Sequence, residues 1–311
     1  MKNSISAIIL LSLCILSGGN SFAQIFVRND QFCDAGKLTQ KDYDRLKAGT
    51  LYFVAPNHLI EDEEEFKAAL EKGWKYSSIE IIEEKDIEKH IGEENASFFS
   101  MGYLLVNNFF TEVYYELWQL KNPEKGYKKT NMQVIAKFEI DLTCELLFEI
   151  RKAKPKEIDA LLQKKNEINN FKPGIIANYL RIIDNCLTNK EKICTKEVSD
   201  KEEIKNLAED TLYITKNFMQ FMNYNNDGCF TKKLNKDEVI GDYPFPYKFI
   251  TPEELNEKLL TNDKFYYLLF SSTIPYVTIY HSNGKLVYNT ILLGNYKRSK
   301  YMGKIAKLIE K

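Results

Sequence analysis

The stretch Met132-Gln-Val-Ile-Ala-Lys-Phe-Glu-Ile-Asp141 decides the fold class. Met132, Val134, Ala136, Phe138 and Ile140 take every second position, alternating with Gln133, Ile135, Lys137, Glu139 and Asp141. Side chains of a β-strand point to opposite faces in turn, so this pattern predicts a half-buried antiparallel strand. Thr111 to Leu120 repeats it, with Val113, Tyr115 and Leu117 set against Tyr114, Glu116 and Trp118. The polar run from Lys121 to Asn131 separates the two, which predicts a long hairpin. Upstream, Leu51–Val54, Ser78–Ile82 and Phe98–Val106 also read as strands. Between the first two, Asp62 stands three residues before Glu65, and Phe66, Ala69, Leu70 and Trp74 follow at helical spacing. That predicts a capped helix. A short acidic helix is expected near Lys85 to His90.

Helices dominate the middle. Pro155 suits a first helical turn, and Ile158, Leu161 and Leu162 share a side. After Lys172-Pro173-Gly174, a second helix carries Ile176, Tyr179, Leu180, Ile183 and Leu187 as one stripe. Ile175, Ile182 and Cys186 widen that stripe, so much of this helix should be buried. A third helix is expected after Ser199-Asp200, and the polar run Thr188–Lys205 reads as a boundary. Beyond it come a strand at Thr211–Ile214, a turn-rich stretch from Asn223 to Pro246, and the helix opening Thr251-Pro-Glu-Glu254. Strands at Phe265–Phe270 and Pro275–Tyr280 follow. Asn283-Gly284 then turns the chain into Lys285–Asn289, and Met302, Ile305, Ala306 and Ile309 mark a closing helix. Thr50-Leu-Tyr-Phe53 is echoed by Thr211-Leu-Tyr-Ile214, which raises an internal duplication. The expected architecture is α+β: two small mixed or antiparallel-sheet units, 24–145 and 207–311, flanking a helical segment, 146–206.

Thr273-Ile-Pro-Tyr-Val-Thr-Ile-Tyr-His-Ser-Asn-Gly-Lys-Leu-Val-Tyr288, with the closing helix, resembles the last third of a thioredoxin-like domain. The resemblance implies a strand, a hairpin and a terminal helix. It carries no redox activity, because no CxxC precedes it and only four residues separate Phe270 from Pro275.

Residues 1–23 read as a secretory signal peptide. Lys2 leads an apolar run from Ile5 to Leu16, and Ser21 and Ala23 place cleavage before Gln24. The protein is therefore expected in the periplasm or outside the cell, with no transmembrane segment after cleavage. The 43 Lys and Arg nearly balance 44 Asp and Glu, which argues against nucleic acid as a partner. Export permits disulfides, and Cys186 and Cys194 flank a polar loop that a bridge between them would close.

Catalytic signatures are missing from the sequence. His58, His90 and His281 form no metal-binding spacing, and neither a GxSxG elbow nor a phosphate-binding glycine loop occurs. No cofactor or metal is expected. His90 reads as a helix-end cap, His281 as an exposed turn residue, and the acidic run Glu61–Glu65 as the charged start of a helix. Two features invite a ligand. Asn57 and His58 leave the end of a strand, where α/β folds often bind, and Tyr243, Phe245 and Tyr247 form an edge stiffened by Pro244 and Pro246. The expectation is a non-catalytic exported protein that binds another envelope component or a ligand. An envelope hydrolase with a site built from distant residues is the alternative, followed by a small-molecule carrier or sensor.

Overall fold

The computed structural model describes residues 31–311 except 56, 107–108, 164–166, 195–196, 226–227, 262, 272–275 and 292–296. The leader, Pro56 and Pro275 thus lie outside the described residues. The first part runs β1 (Gln31–Asp34), α1 (Gln40–Ala48), β2 (Thr50–Val54), α2 (Glu63–Gly73), β3 (Ser78–Ile82), α3 (Ile87–His90), β4 (Ser97–Val106), β5 (Phe109–Leu120) and β6 (Met132–Glu139). Three helices follow, α4 (Cys144–Lys152), α5 (Pro155–Leu162) and α6 (Pro173–Asn189), and then the short strands β7 (Lys192–Cys194) and β8 (Glu197–Ser199). The last part holds β9 (Leu212–Thr215), β10 (Gln220–Asn225), β11 (Gly228–Lys233), α7 (Lys236–Val239), β12 (Tyr247–Ile250), α8 (Pro252–Leu260), β13 (Tyr266–Phe270), β14 (Tyr276–His281), β15 (Lys285–Ile291) and α9 (Arg298–Ile309).

The fold is α+β, with two mixed sheets. The first has the order β3-β2-β4-β5-β6-β1-β7 and the second β12-β9-β13-β14-β15-β8. In the first, β2 runs parallel to β3 and β4 and every other pair is antiparallel. In the second, β9 runs parallel to β12 and β13 and the remainder is again antiparallel. Apart from β7, the two sheets therefore share one order and one sense. The Leu-Tyr echo falls on β2 and β9, which hold the same place in each. The expected strand, hairpin and closing helix are present as β14, β15 and α9, with Gly284 at φ 83° in the turn. A positive φ is cheap only for glycine, which explains the Asn-Gly pair.

Helix α6 sits between the sheets, and its composition explains why. Tyr179 stacks on Phe138 of the first sheet with ring centroids 4.4 Å apart, and meets Tyr280 of the second edge-on at 5.9 Å. A helix facing a sheet on each side needs apolar residues nearly all round, and Ile175, Ile176, Leu180, Ile182, Ile183 and Leu187 are all buried. One core runs continuously through the first sheet, α2, α6, α8 and the facing side of the second sheet. A second core fills the far side of that sheet beneath α7, α9 and a 3-10 turn at Glu203–Ala208. Thr251 caps α8 in the predicted box, accepting from the Glu254 amide at 3.1 Å.

Polar groups are buried where the sheets meet. Both oxygens of Glu139 accept from the Tyr280 hydroxyl, at 2.9 and 3.0 Å. Burial pushes the Glu139 carboxyl up to about 7. Asn170 donates to the Glu139 carbonyl and to the Tyr179 hydroxyl. Asp141 accepts from Asn169 in the first half and from Asn217 in the second, at 3.1 and 2.6 Å.

Several expectations are corrected. The polar run Thr188–Lys205 is no bare linker, because it supplies β7 to one sheet and β8 to the other. The third helix is the 3-10 turn at Glu203–Ala208, and the turn-rich stretch holds most of the hairpin β10–β11 and α7. β1 and α1 carry no pattern that separated them from loop. Cys186 is not bridged to Cys194. It is a free, buried thiol on the inward face of α6, whereas Cys144 on α4 is joined to Cys229 on β11. His281 is buried, and its Nδ1 accepts from the Asn283 amide. His90 ends α3, as expected, and in addition stacks on Tyr52 at 4.1 Å and bonds Glu93 at 2.8 Å.

Candidate functional site

Alternation along β4 and β5 divides their side chains. Odd positions such as Phe99, Tyr115 and Leu117 enter the central core, while Phe98 and Trp118 belong to a smaller cluster on the opposite face. On that outer face, Ser100 lies across from Glu116 and Gly102 across from Tyr114. These four residues and Trp118 form the floor of a cleft of about 540 Å³. Ile87, Glu88 and Ile91 from the α3 region make one wall, Asp159 and Gln163 from the end of α5 make another, and Tyr127 closes a third side.

Each floor residue has a local reason. A Cβ on Gly102 would stand 2.8 Å from the Tyr114 ring and 3.1 Å from Glu116 Oε1, so only glycine leaves the floor open. Trp118 Nε1 donates to Ser100 Oγ at 3.0 Å, which fixes the indole. Tyr127 tilts beside that indole at 5.9 Å and is 60% exposed, so an apolar surface remains open to a ligand. Lys137 lies across the strand from Glu116, with Nζ 3.8 Å above the Tyr114 ring.

Electrostatically the cleft is acidic. Glu84, Glu88, Glu116 and Asp159 border it, and no lysine or arginine is among its described lining residues. Burial and then the Asp159 charge raise the Glu84 carboxyl above its usual range, while the Gln163 amide, donating at 3.3 Å, works against that rise. Burial raises Asp159 as well. The Tyr103 and Tyr127 phenols are also raised, first by burial and then by these carboxylates. These carboxylates stand beside the exposed ring of Tyr127.

Of the residues singled out from sequence, His58 borders this arrangement. Its Nε2 bonds the backbone carbonyl of Gln163, whose amide reaches Glu84. Asn57 begins the same 3-10 turn, but its side chain lies outside the described residues. Tyr243 is buried at 5% exposure and meets Phe245 and Tyr247 edge-on at 5.5 and 6.2 Å. This trio packs over the second core and lines no part of the cleft. The acidic run Glu61–Glu65 borders a separate depression of about 490 Å³ among the first turns of α2, α6 and α8. There Asp62 caps α2 by accepting from the Glu65 amide, and Lys172 pairs with Glu253. Among the described residues, no group of His, Cys, Asp and Glu is arranged to hold a metal ion, and no helix is long and apolar enough to cross a membrane.

The sequence reading missed Glu84, Gly102, Tyr114, Glu116, Tyr127 and Asp159 as one site. A signal was present in the hairpin. The outward set Tyr114, Glu116 and Trp118 carries a carboxylate between two aromatic rings, opposite a strand glycine. The chain matches no protein-family model, and neither a curated protein nor a solved structure matches it.

Proposed function

We propose that this is an exported, non-catalytic binding protein whose outer cleft takes a small organic cation, free or borne by an envelope component. The observation that carries the reading is the convergence of Glu84, Glu116 and Asp159 with the rings of Tyr114, Trp118 and Tyr127. An ammonium or guanidinium group relieves the repulsion of Glu84 by Asp159, and its apolar body rests on the exposed Tyr127 ring. Export draws support from the apolar leader and from the Cys144–Cys229 disulfide, since such bonds persist in oxidising compartments.

The test uses tryptophan emission. Trp74→Phe leaves Trp118, at the cleft, as the chain's remaining tryptophan. Titration with phenethylammonium or agmatine should shift its emission, and phenylacetate or glucose should not. Asp159→Asn and Glu84→Gln should each raise the Kd by about tenfold, the effect of losing one charge-assisted contact of roughly 1.4 kcal/mol. No cation-dependent shift, or a shift that both variants leave unchanged, rejects the reading.

A hydrolase is the second reading, favoured by one observation: Glu84 and Asp159 are both raised and share the cleft. Paired carboxylates of that kind serve acid–base cleavage of glycosides. It expects turnover of a chromogenic glycoside that Glu84→Gln abolishes.

A further inference from the structure

The chain reverses direction sharply after α6. Lys190 adopts the left-handed conformation, at φ 55°. The Glu191 amide donates back to the Cys186 carbonyl at 2.9 Å, and the Glu191 carbonyl then accepts from the Gly36 amide at 3.1 Å. From there β7 runs along β1, with Ile193 opposite Cys33 and Lys192 opposite Asp34. Gly36 lets the segments close up, since a Cβ on it would stand 2.9 Å from Lys192 Cβ. This path lays the last turn of α6, which carries Cys186, over the middle of β1, which carries Cys33.

Both thiols are free and at most 1% exposed, and both belong to the central core. Tyr43, anchored by donating to the Ala35 carbonyl at 2.7 Å, shares that core, and burial, then Cys33 and Cys186 near it, raise its phenol. Interaction with the Cys33 thiol, followed by burial, holds the Cys186 thiol well above its ordinary range. A thiol so placed is a poor nucleophile once the core has closed.

We infer that Cys33 and Cys186 form a second disulfide, made while the chain folds under oxidising conditions, which locks β1 to the end of α6. The oxidant is a small disulfide or a disulfide-bearing protein. One cysteine thiolate attacks a sulfur of the oxidant, giving a mixed disulfide and releasing one thiol. The second cysteine then displaces the other half. Two thiol protons and two electrons leave the chain, and the electrons reduce the oxidant's S–S bond to two thiols. Bridges 33–186 and 144–229 together account for all but Cys194 of the cysteines after residue 23.

The experiment refolds chain 24–311 in a buffer of oxidised and reduced glutathione. The product is denatured without reductant, alkylated, digested and read by mass spectrometry. The expected result is a Cys33 peptide joined to a Cys186 peptide, with neither cysteine alkylated. Reductant should then lower the thermal midpoint of the refolded natural chain by more than that of the Cys33→Ser, Cys186→Ser double variant. Recovery of Cys33 and Cys186 as alkylated thiols overturns the inference, whether or not Cys144 and Cys229 are joined. A Cys186–Cys194 crosslink overturns it equally. The outcome does not depend on what the outer cleft binds.

Discussion

Glu139 illustrates how one buried residue couples the fold to pH. Its carboxyl lies between the sheets and accepts only neutral donors, so desolvation dominates and raises its folded value from 4.5 to about 7. Folding therefore favours the protonated form. Between about pH 4.5 and 7 the folded chain binds a proton that the unfolded chain has released. The stability from this group is complete below that window and is lost as pH rises through it. Glu139→Gln stays neutral throughout and can still accept from Tyr280. Urea unfolding from pH 5 to 8 should show a flatter pH dependence for the variant, with a gain near pH 8 of up to roughly 3 kcal/mol. Equal slopes for the variant and the natural chain would refute this account. At the same scale, Gly102→Ala should fill the cleft floor. It should weaken cation binding in the tryptophan assay while leaving the thermal midpoint within a few degrees, because Tyr114 and Glu116 can swing outward.

At the scale of elements, the packing of α2 against α6 rests on Gly73. A Cβ there would stand 2.2 Å from the Ala177 carbonyl oxygen, a backbone atom that cannot yield without moving α6. Gly73→Ala should destabilise the fold by roughly 1–3 kcal/mol, in line with overpacked cores, and urea unfolding measures it. The helix starts were legible because capping is local chemistry. Asp62 and Thr251 bond amides three residues ahead, as their spacing implied. The β5–β6 hairpin was legible for a similar reason, since alternation over ten residues identifies a strand before its partner is known. β7 and β8 were not. Each has three residues, and polar composition conceals an edge strand whose stability comes from its neighbour.

Across the whole molecule, α6 makes the two sheets one cooperative body. Tyr179 touches both, and the central core takes residues from each. Tyr179→Ala should therefore cost about 3–5 kcal/mol, as for other large aromatic truncations. Far-UV and near-UV circular dichroism should still report a single coincident transition. Separate transitions for the two sheets would show that the shared helix does not couple them.

The sequence by itself determined most of the strands and helices, the caps, the Asn-Gly turn and the α+β class. All of these follow from backbone periodicity and contacts within a few residues. Its alternation also put Tyr114, Glu116 and Trp118 on one face of β5, without marking that face as a site. Only the tertiary structure decided that α6 lies between the two sheets, and that Cys144 reaches Cys229 across 85 residues. The same holds for the convergence of Glu84, Glu116 and Asp159 on one cleft. These groups come from three separated segments, and their meeting depends on how sheet and helices pack. Local spacing carries no trace of that, since burial of shared apolar surface, not chain proximity, brings such segments together.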